Sequence, residues 1–177
     1  MPNYGLLISG GIDSKVCQHM YPDATLFHYR TDADKDMSGA GVTTFDMRGA
    51  PNKANAMTAK TIELLADSAL GLDNIIFGKQ KGYEHLSTMD DAPEEGTNTL
   101  ITPLSDMYKH EVIRYASENN IDLTDTVSCL TELTHTGCGV CYQCMERAHA
   151  LSLLDSDGFD YSKRHLSTTY NMNTFKI

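Results

Sequence analysis

The most constraining feature of the chain is a glycine turn that joins a predicted strand to a predicted helix near the N-terminus. The apolar run at residues 4–8 predicts a buried strand, and residues 15–20 predict a helix. Between them lies the sequence Ser9-Gly10-Gly11-Ile12-Asp13-Ser14. Two glycines let the backbone approach a bulky anion closely, and the free N–H groups at a helix start attract negative charge. The turn therefore predicts a phosphate-binding loop.

The side chains of this loop have different predicted roles. Ser9 and Ser14 can add hydroxyl donors, whereas Asp13 would repel a phosphate. Asp13 is therefore predicted to hold Mg²⁺ or to fix the loop by accepting backbone N–H bonds. A simpler interpretation is an ordinary helix start with Asp13 or Ser14 as N-cap. The position directly after the first strand of an α/β chain favours phosphate binding, because such folds bind ligands there.

Two familiar phosphate loops are excluded by the same residues. No Gly-Lys-Ser/Thr ends the turn, as a Walker loop requires. The third glycine of the dinucleotide-binding fingerprint is also missing. The loop thus belongs to another class of phosphate site.

Predicted strands and helices alternate along the chain. The predicted strands are residues 4–8, 24–29, 42–47 and 74–78. The predicted helices are residues 15–20, 55–69 with Gly71 as C-cap, 109–119 and 145–155. This order predicts an α/β fold with a parallel sheet, right-handed crossovers and flanking helices.

Two polar stretches, residues 31–41 and 79–98, predict irregular structure. The first carries the spaced carboxylates Asp32, Asp34 and Asp36, for which a solvated acidic loop is a better interpretation than a divalent-ion site. The second is long enough to suggest a functional or mobile loop.

Composition limits the possible partners and compartment. The chain has 177 residues, 41% of them hydrophobic, and a net charge of -10, which fits one globular unit and argues against direct nucleic-acid or anionic-membrane binding. The sequence shows neither a membrane-spanning run nor a signal pattern, so we expect a soluble, cytoplasmic protein.

Four of the five cysteines form a metal-binding pattern. They are Cys129, Cys138, Cys141 and Cys144, in a Cys-x8-Cys-x2-Cys-x2-Cys array. Four soft ligands predict structural, tetrahedral Zn²⁺, and Gly137 and Gly139 allow the tight turn that would bring them together. An iron–sulfur cluster is the alternative, and four unmetallated thiols the simplest interpretation. Cys17 stands apart and is predicted to be a small buried hydrophobe.

The loop and the cysteine array together resemble the 7-cyano-7-deazaguanine synthase family of the N-type ATP pyrophosphatase superfamily. Residues 9–14 match the superfamily's pyrophosphate loop, and residues 74–78 resemble its strand ending in glycine. The family-like C-terminal segments are Pro103-Leu104, Tyr108-Lys109-His110-Glu111-Val112-Ile113, Asp122-Leu123, Ser128-Cys129, and Cys138-Gly139-Val140-Cys141-Tyr142-Gln143-Cys144 with Arg147. Pro51, Lys53 and Asn55 resemble a loosened form of its Pro-Gly-Arg-Asn helix start.

The resemblance implies a Rossmann-like (HUP-type) parallel sheet and an ATP-dependent carbon–nitrogen ligase. Its substrates would be Mg²⁺-ATP, ammonia and 7-carboxy-7-deazaguanine, and its product 7-cyano-7-deazaguanine would form through an acyl adenylate for queuosine-type modification of tRNA or DNA. Asp13 and Lys109 are the candidate catalytic residues, and a surface lysine of an amphipathic helix is the less favoured interpretation of Lys109. The residues predicted to contact ATP or pyrophosphate are Ile8, Ser9, Gly10, Gly11, Asp13 and Ser14.

The chain also departs from the family. A family helix between the second and third strands has no counterpart, since only residues 31–41 fill that gap. Covering the exposed sheet would then require a second subunit, so we expect a homo-oligomer, a dimer. The residues after the fourth strand differ as well, and Tyr83, Glu84 and His85 could either hold a purine-like ring or form an ordinary exposed loop.

Three other functions and one domain boundary complete the expectations. The chain could thiolate a nucleobase, which needs a reactive cysteine, or act on a different acceptor. It could also be a non-catalytic, zinc-stabilised nucleotide-binding module that works through a partner. Residues 1–125 are predicted to form the nucleotide-binding α/β domain, with a zinc-binding helical module at residues 126–177 packed on it as one compact unit.

Overall fold

Strands and helices alternate in the order that the sequence predicts. The computed structural model describes residues 2–31, 37, 39, 41–84, 86, 99–129 and 138–159. The strands are β1 (Tyr4–Leu7), β2 (Thr25–Arg30), β3 (Val42–Asp46), β4 (Asn74–Phe77), β5 (Gln80–Lys81), β6 (Leu100–Ile101) and β7 (Leu104–Tyr108). The helices are α1 (Ile12–Met20), α2 (Lys53–Ala66), α3 (Lys109–Glu118) and α4 (Tyr142–Ser156).

Five strands form one parallel sheet in the order β3-β2-β1-β4-β6. The chain places β2 and β3 on one side of the central strand β1, and β4 and β6 on the other. In parallel sheets, ligands bind at the carboxyl ends of the strands where the strand order reverses in this way. The expected α/β fold with a parallel sheet and flanking helices is therefore confirmed, and the reversal lies beside β1.

Helices cover both faces of this sheet. On one face, α1, α3 and α4 bury Val16, Val112 and Leu151 in a cluster that also contains Leu6 of β1. On the other face, Leu64 of α2 packs in the same cluster as Phe27. Burying these apolar side chains is the main stabilising contribution to such a fold. Because α4 shares its core with α1, the C-terminal helix is packed directly on the sheet's helical layer.

The end of α2 differs from the prediction. The helix ends at Ala66 with Asp67 as C-cap, so neither the expected extension to residue 69 nor Gly71 as C-cap is correct. The Asp67 carboxylate accepts a hydrogen bond from the backbone N–H of Ala69 at 2.9 Å. This local bond competes with continued helix. Gly71 lies in the following turn, where it adopts a left-handed φ of 58°.

Three strands, β5, β6 and β7, were not predicted. β6 joins the main sheet, and β5 and β7 pair in a separate two-stranded parallel sheet. The predicted irregular regions fall mostly outside the described residues, including the acidic residues Asp32, Asp34 and Asp36. Within the described ranges, no helix is long and apolar enough to cross a membrane.

Candidate functional site

The glycine turn joins β1 to α1 with the backbone geometry that its sequence predicts. Gly10 adopts a left-handed φ of 76°, a conformation that favours glycine. Gly11 is the N-cap of α1, which begins at Ile12. The interpretation that Asp13 or Ser14 caps the helix is therefore wrong. Both lie inside the first turn, and an N-cap glycine leaves the adjoining N–H groups without a side-chain cap.

The two serines of the loop have different surroundings. The buried Ser14 hydroxyl donates to the carbonyl of Gly11 at 3.1 Å and accepts from the N–H of Ser9 at 3.3 Å. Ser14 thus holds the loop closed on itself. The exposed Ser9 accepts from the N–H of Gly11 at 3.4 Å, and its own O–H group remains able to donate to a ligand.

A buried lysine meets Asp13 at the start of α1. The Lys109 ammonium lies 2.6 Å from Oδ2 of Asp13 and 3.8 Å from Oε2 of Glu146. Lys109 is 4% exposed, so the interpretation as a surface lysine is wrong. It occupies the first position of α3, where the helix dipole disfavours a cation. Two carboxylates offset that cost, and such expensive placements are concentrated at functional sites.

Glu146 was not predicted as a site residue. It is 3% exposed, and its Oε1 accepts a hydrogen bond from the Tyr142 hydroxyl at 2.9 Å. Burial raises the pKa of Glu146, while Lys109 and the hydrogen bonds from Tyr142 and Gln80 act in the opposite direction. A signal was present in the sequence, because Glu146, Ala150 and Leu154 recur at the four-residue spacing of one helix face.

The loop opens into a cleft at the carboxyl ends of three strands. The cleft has a volume of about 390 Å³. Its lining includes Leu7 at the end of β1, Tyr29 on β2 and Phe77 at the end of β4, together with Asp13 and Lys109. It also includes Ile8, Ser9, Gly11 and Ser14. The structure therefore brings most of the predicted nucleotide-contacting residues to one cavity.

Gly78 lets α1 lie directly against the end of β4. A Cβ atom at this position would lie 3.0 Å from the carbonyl carbon of Asp13 and 3.1 Å from the backbone nitrogen of Ser14. Contacts of this length are tighter than most that real Cβ atoms make, so the backbone of α1 would have to shift by a few tenths of an ångström. The absence of a side chain at Gly78 thus fixes how near the loop comes to the sheet.

The segment before the first cysteine of the array closes one side of the cleft. The N–H of Val127 donates to the carbonyl of Gly10 at 3.0 Å. The buried guanidinium of Arg147 donates to the carbonyl of Thr126 and to the hydroxyl of Ser128, both at 3.2 Å. Arg147 therefore fixes from α4 the segment that contacts the loop. Cys129 follows directly and also lines the cleft.

The four cysteines of the array converge on one point. The sulfur atoms of Cys129, Cys138, Cys141 and Cys144 all lie within 4.8 Å of one another. A Zn²⁺ ion with Zn–S bonds of about 2.3 Å would place its sulfurs about 3.8 Å apart, so a small contraction would seat one ion. The backbone N–H of Cys141 donates to the Cys138 sulfur at 3.4 Å, as is favourable for a thiolate. The cluster could therefore hold a metal ion.

Neither Cys17 nor Tyr83 is among the residues that line the cleft or form the cysteine cluster. Cys17 is fully buried, as predicted, and burial together with the charge of Asp13 raises the pKa of its thiol to about 12. Tyr83 is also buried. Its ring stacks on the Tyr108 ring with 5.2 Å between ring centroids and lies edge-on to the His149 ring with 4.7 Å between centroids. Its hydroxyl forms a hydrogen bond with Nδ1 of His110.

Tyr83 therefore neither lines the cleft, where it could hold a purine, nor forms an exposed loop. Glu84 is exposed, and His85 lies outside the described residues.

The fold and the site define an α/β protein with a glycine loop at the carboxyl edge of its parallel sheet and, beside that loop, a cluster of four cysteines that could hold a metal ion. Residues 81–155 match the family model described as Queuosine biosynthesis protein QueC. The match covers less than half of the chain and includes Lys109, Glu146 and all four clustered cysteines, but not the loop at residues 9–14. It supports a relationship to that family and, through it, an ATP-using role related to queuosine biosynthesis. The comparison with curated proteins gave no match.

Proposed function

We propose that this protein is an ATP-dependent carbon–nitrogen ligase of the QueC family that converts 7-carboxy-7-deazaguanine and ammonia into 7-cyano-7-deazaguanine. The observation that carries the proposal is the buried pair of Lys109 and Asp13 at the mouth of the glycine loop. A cation and a metal-binding carboxylate at a loop of backbone donors suit the departure of diphosphate. The family match spans this lysine and the cysteine cluster, which supports the same assignment.

The loop supplies the seat for the leaving diphosphate. The N–H groups at the start of α1 and the Ser9 hydroxyl would donate to its oxygens, and the ammonium of Lys109 would add a positive charge. These groups are fixed before ATP arrives. Ser14 bonds within the loop, Gly78 lets the loop pack against the end of β4, and Val127, just before the first clustered cysteine, donates to the loop carbonyl of Gly10. Preorganised donors stabilise charge as it develops without further rearrangement.

The residues present also fit a magnesium ion. Within the described part of the chain, Oδ1 of Asp13 is buried and has no hydrogen-bond partner, although Asp13 lines the cleft. A carboxylate oxygen is a preferred ligand of Mg²⁺, which commonly takes one or two protein carboxylates together with phosphate oxygens. When bound there, Mg²⁺ would supply positive charge to the phosphates.

The proposed chemistry proceeds in two rounds. A carboxylate oxygen of the acceptor attacks the α-phosphorus of ATP, and the bond to the departing diphosphate breaks. Ammonia then adds to the acyl carbon, a proton is lost and AMP leaves, which gives the amide. In the second round the amide oxygen attacks the α-phosphorus of another ATP, diphosphate leaves, and loss of AMP from carbon and of the protons from nitrogen gives the nitrile.

The cysteine cluster is proposed to hold structural Zn²⁺, with no contact to the acceptor. Four thiolates and close sulfur spacing suit a single tetrahedral ion better than a bulkier iron–sulfur cluster. Thiolation of a nucleobase is less well supported. The fifth cysteine, Cys17, is fully buried with a raised pKa and lacks the accessible thiolate that such chemistry needs.

The proposal is tested by supplying ATP, Mg²⁺, 7-carboxy-7-deazaguanine and nitrogen-labelled ammonium to the zinc-loaded protein and following products by mass spectrometry. We expect labelled amide followed by labelled nitrile. Replacement Lys109→Gln should lower the rate by roughly 100-fold or more, the usual effect of losing one transition-state charge partner. Lys60→Gln, on the outer helix α2, is the matched control and should leave the rate unchanged. An active Lys109→Gln variant would contradict the role of the lysine.

A further inference from the structure

Three charged side chains meet behind the glycine loop, and only two of them line the cleft. Asp13 and Lys109 do so, whereas Glu146 is absent from its lining. Oε2 of Glu146 nevertheless lies 3.8 Å from the Lys109 ammonium. Its other oxygen is fixed by the hydroxyl of Tyr142. Glu146 is thus a rigid, buried carboxylate that can act on the cleft through the lysine.

The arrangement creates a competition for Asp13. In the structure, Oδ2 of Asp13 is paired with the Lys109 ammonium at 2.6 Å. A metal ion that binds the Asp13 carboxylate must weaken the ion pair between Asp13 and Lys109, because the metal and the Lys109 ammonium would then share the one negative charge of that carboxylate. Freeing a buried lysine from its partner is costly unless another anion accepts it. Glu146 is already placed to do so.

We propose that Glu146 is a positioning residue that holds Lys109 when a metal ion at Oδ1 of Asp13 weakens the pair of Lys109 with Oδ2, and so makes anion binding in the cleft dependent on Mg²⁺. The inference rests on the proposed function, since it concerns the same loop and the same ion. The three side chains carry a net charge of one negative unit, which repels diphosphate. A bound divalent cation makes the net charge of the site positive, so that it attracts diphosphate. Glu146 therefore suppresses metal-free anion binding and supports metal-dependent binding.

The test is calorimetric binding of inorganic diphosphate to the full-length, zinc-loaded protein, once with Mg²⁺ present and once in its absence. The measured quantity is the ratio of the metal-free Kd to the Kd with Mg²⁺. In Glu146→Gln this ratio should fall by about 10-fold or more. The Kd with Mg²⁺ should rise, because the metal-bound state loses the anion that accepts Lys109. The metal-free Kd should fall, because a charge that repels diphosphate is removed. General damage to the fold would weaken both Kd values together and leave the ratio unchanged.

Two further variants make the test specific. Glu118→Gln makes the same charge change at the exposed end of α3, and its ratio should match that of the wild type. In a Lys109→Gln background, adding Glu146→Gln should lower the ratio by clearly less than it does in the wild type, because the part of the coupling that passes through the lysine is then absent and only the direct charge effect remains. If Glu146→Gln does not fold, Glu146→Asp, which withdraws the carboxylate by one methylene, should still lower the ratio.

The outcomes separate the two proposals. Wild-type protein that binds no diphosphate with Mg²⁺ would overturn the proposed function and this inference with it. Wild-type binding with an unchanged ratio in the Glu146 variants would overturn the role of Glu146 alone and leave the proposed function standing. The ratio also distinguishes Glu146 from Tyr142, because Tyr142→Phe removes a hydrogen bond but keeps the charge and should change the ratio by less than Glu146→Gln.

Discussion

At the scale of single residues, Lys109 shows how local sequence and tertiary contacts combine. It follows Tyr108, whose backbone N–H donates to the Glu111 carboxylate at 2.7 Å in a capping box that fixes the start of α3. That start points the first helical residue toward α1 rather than toward solvent. The pairing with Asp13, 96 positions away in sequence, completes its burial. Helical spacing alone predicts an exposed residue here, because it contains no information about the partner.

Gly78 gives a prediction at the same scale. Replacing it with alanine should destabilise the protein by about 1–3 kcal/mol, because the added Cβ meets the backbone of Asp13 and Ser14. The loop would have to move away from the sheet, so diphosphate binding should weaken as well. Urea unfolding and calorimetry measure the two effects.

The control for Gly78→Ala is Gly39→Ala. The nearest contact of a Cβ at Gly39 is 4.0 Å away, so we expect a change within about 0.5 kcal/mol. Equal effects of the two variants would show that the close approach of α1 to Gly78 has no energetic importance.

At the scale of elements, the cysteine cluster and the glycine loop are joined by a short path. The sulfur of Cys129 belongs to the cluster, and Val127, two residues earlier, donates to Gly10. Arg147 fixes the same segment from α4. A metal ion in the cluster would therefore stabilise the wall of the cleft as well as the C-terminal helix.

Replacement Cys141→Ser tests this path. We expect loss of bound zinc and weaker diphosphate binding. We also expect the free energy of unfolding to fall by roughly 3 kcal/mol or more, because structural zinc contributes about 10 kcal/mol to the folding of small zinc-finger peptides. Metal analysis, thermal unfolding and calorimetry measure these effects.

Cys17→Ala is the control for Cys141→Ser, because it removes a buried thiol outside the cluster. It should keep zinc and cost only about 1 kcal/mol. A Cys141→Ser protein with full metal content and unchanged stability would rule out the assignment.

The sequence was informative about long elements and less so about short ones. β1, β2, β3 and β4 have apolar runs, and the main helices have helical spacing, so their existence could be predicted. β5 and β6 are two residues each, too short to show any periodicity. The site divides in the same way. The loop and the cysteines are local patterns, whereas the contact of Val127 with Gly10 and the burial of Glu146 depend on packing between distant segments.

At the scale of the whole molecule, the parallel sheet determines where the chemistry can occur. The central strand β1 carries the loop at its carboxyl end, and β2 and β4 add their own ends to the cleft on either side. The helical layer of α1, α3 and α4 brings Asp13, Lys109 and Glu146 together from three separate segments. The division into a nucleotide-binding domain at residues 1–125 and a zinc module at 126–177 stays a prediction.

The oligomeric state also stays a prediction. We expect a homodimer that covers any sheet surface beside β2 and β3 that the chain's own helices leave open, since only residues 31–41 connect these two strands and parallel sheets are normally covered on both faces. Size-exclusion chromatography with light scattering measures the mass directly. A monomer at micromolar concentration would contradict the expectation without affecting the proposed chemistry.

The central claim is that the glycine loop and Lys109 together release diphosphate from ATP for an acceptor carboxylate. The most direct test is diphosphate release by the zinc-loaded protein with ATP, Mg²⁺ and ammonium, with and without 7-carboxy-7-deazaguanine. The account predicts release that depends on the acceptor and is lost in Lys109→Gln. Absence of release despite bound zinc and measurable ATP binding would contradict it, and would favour a different acceptor or a non-catalytic nucleotide-binding module.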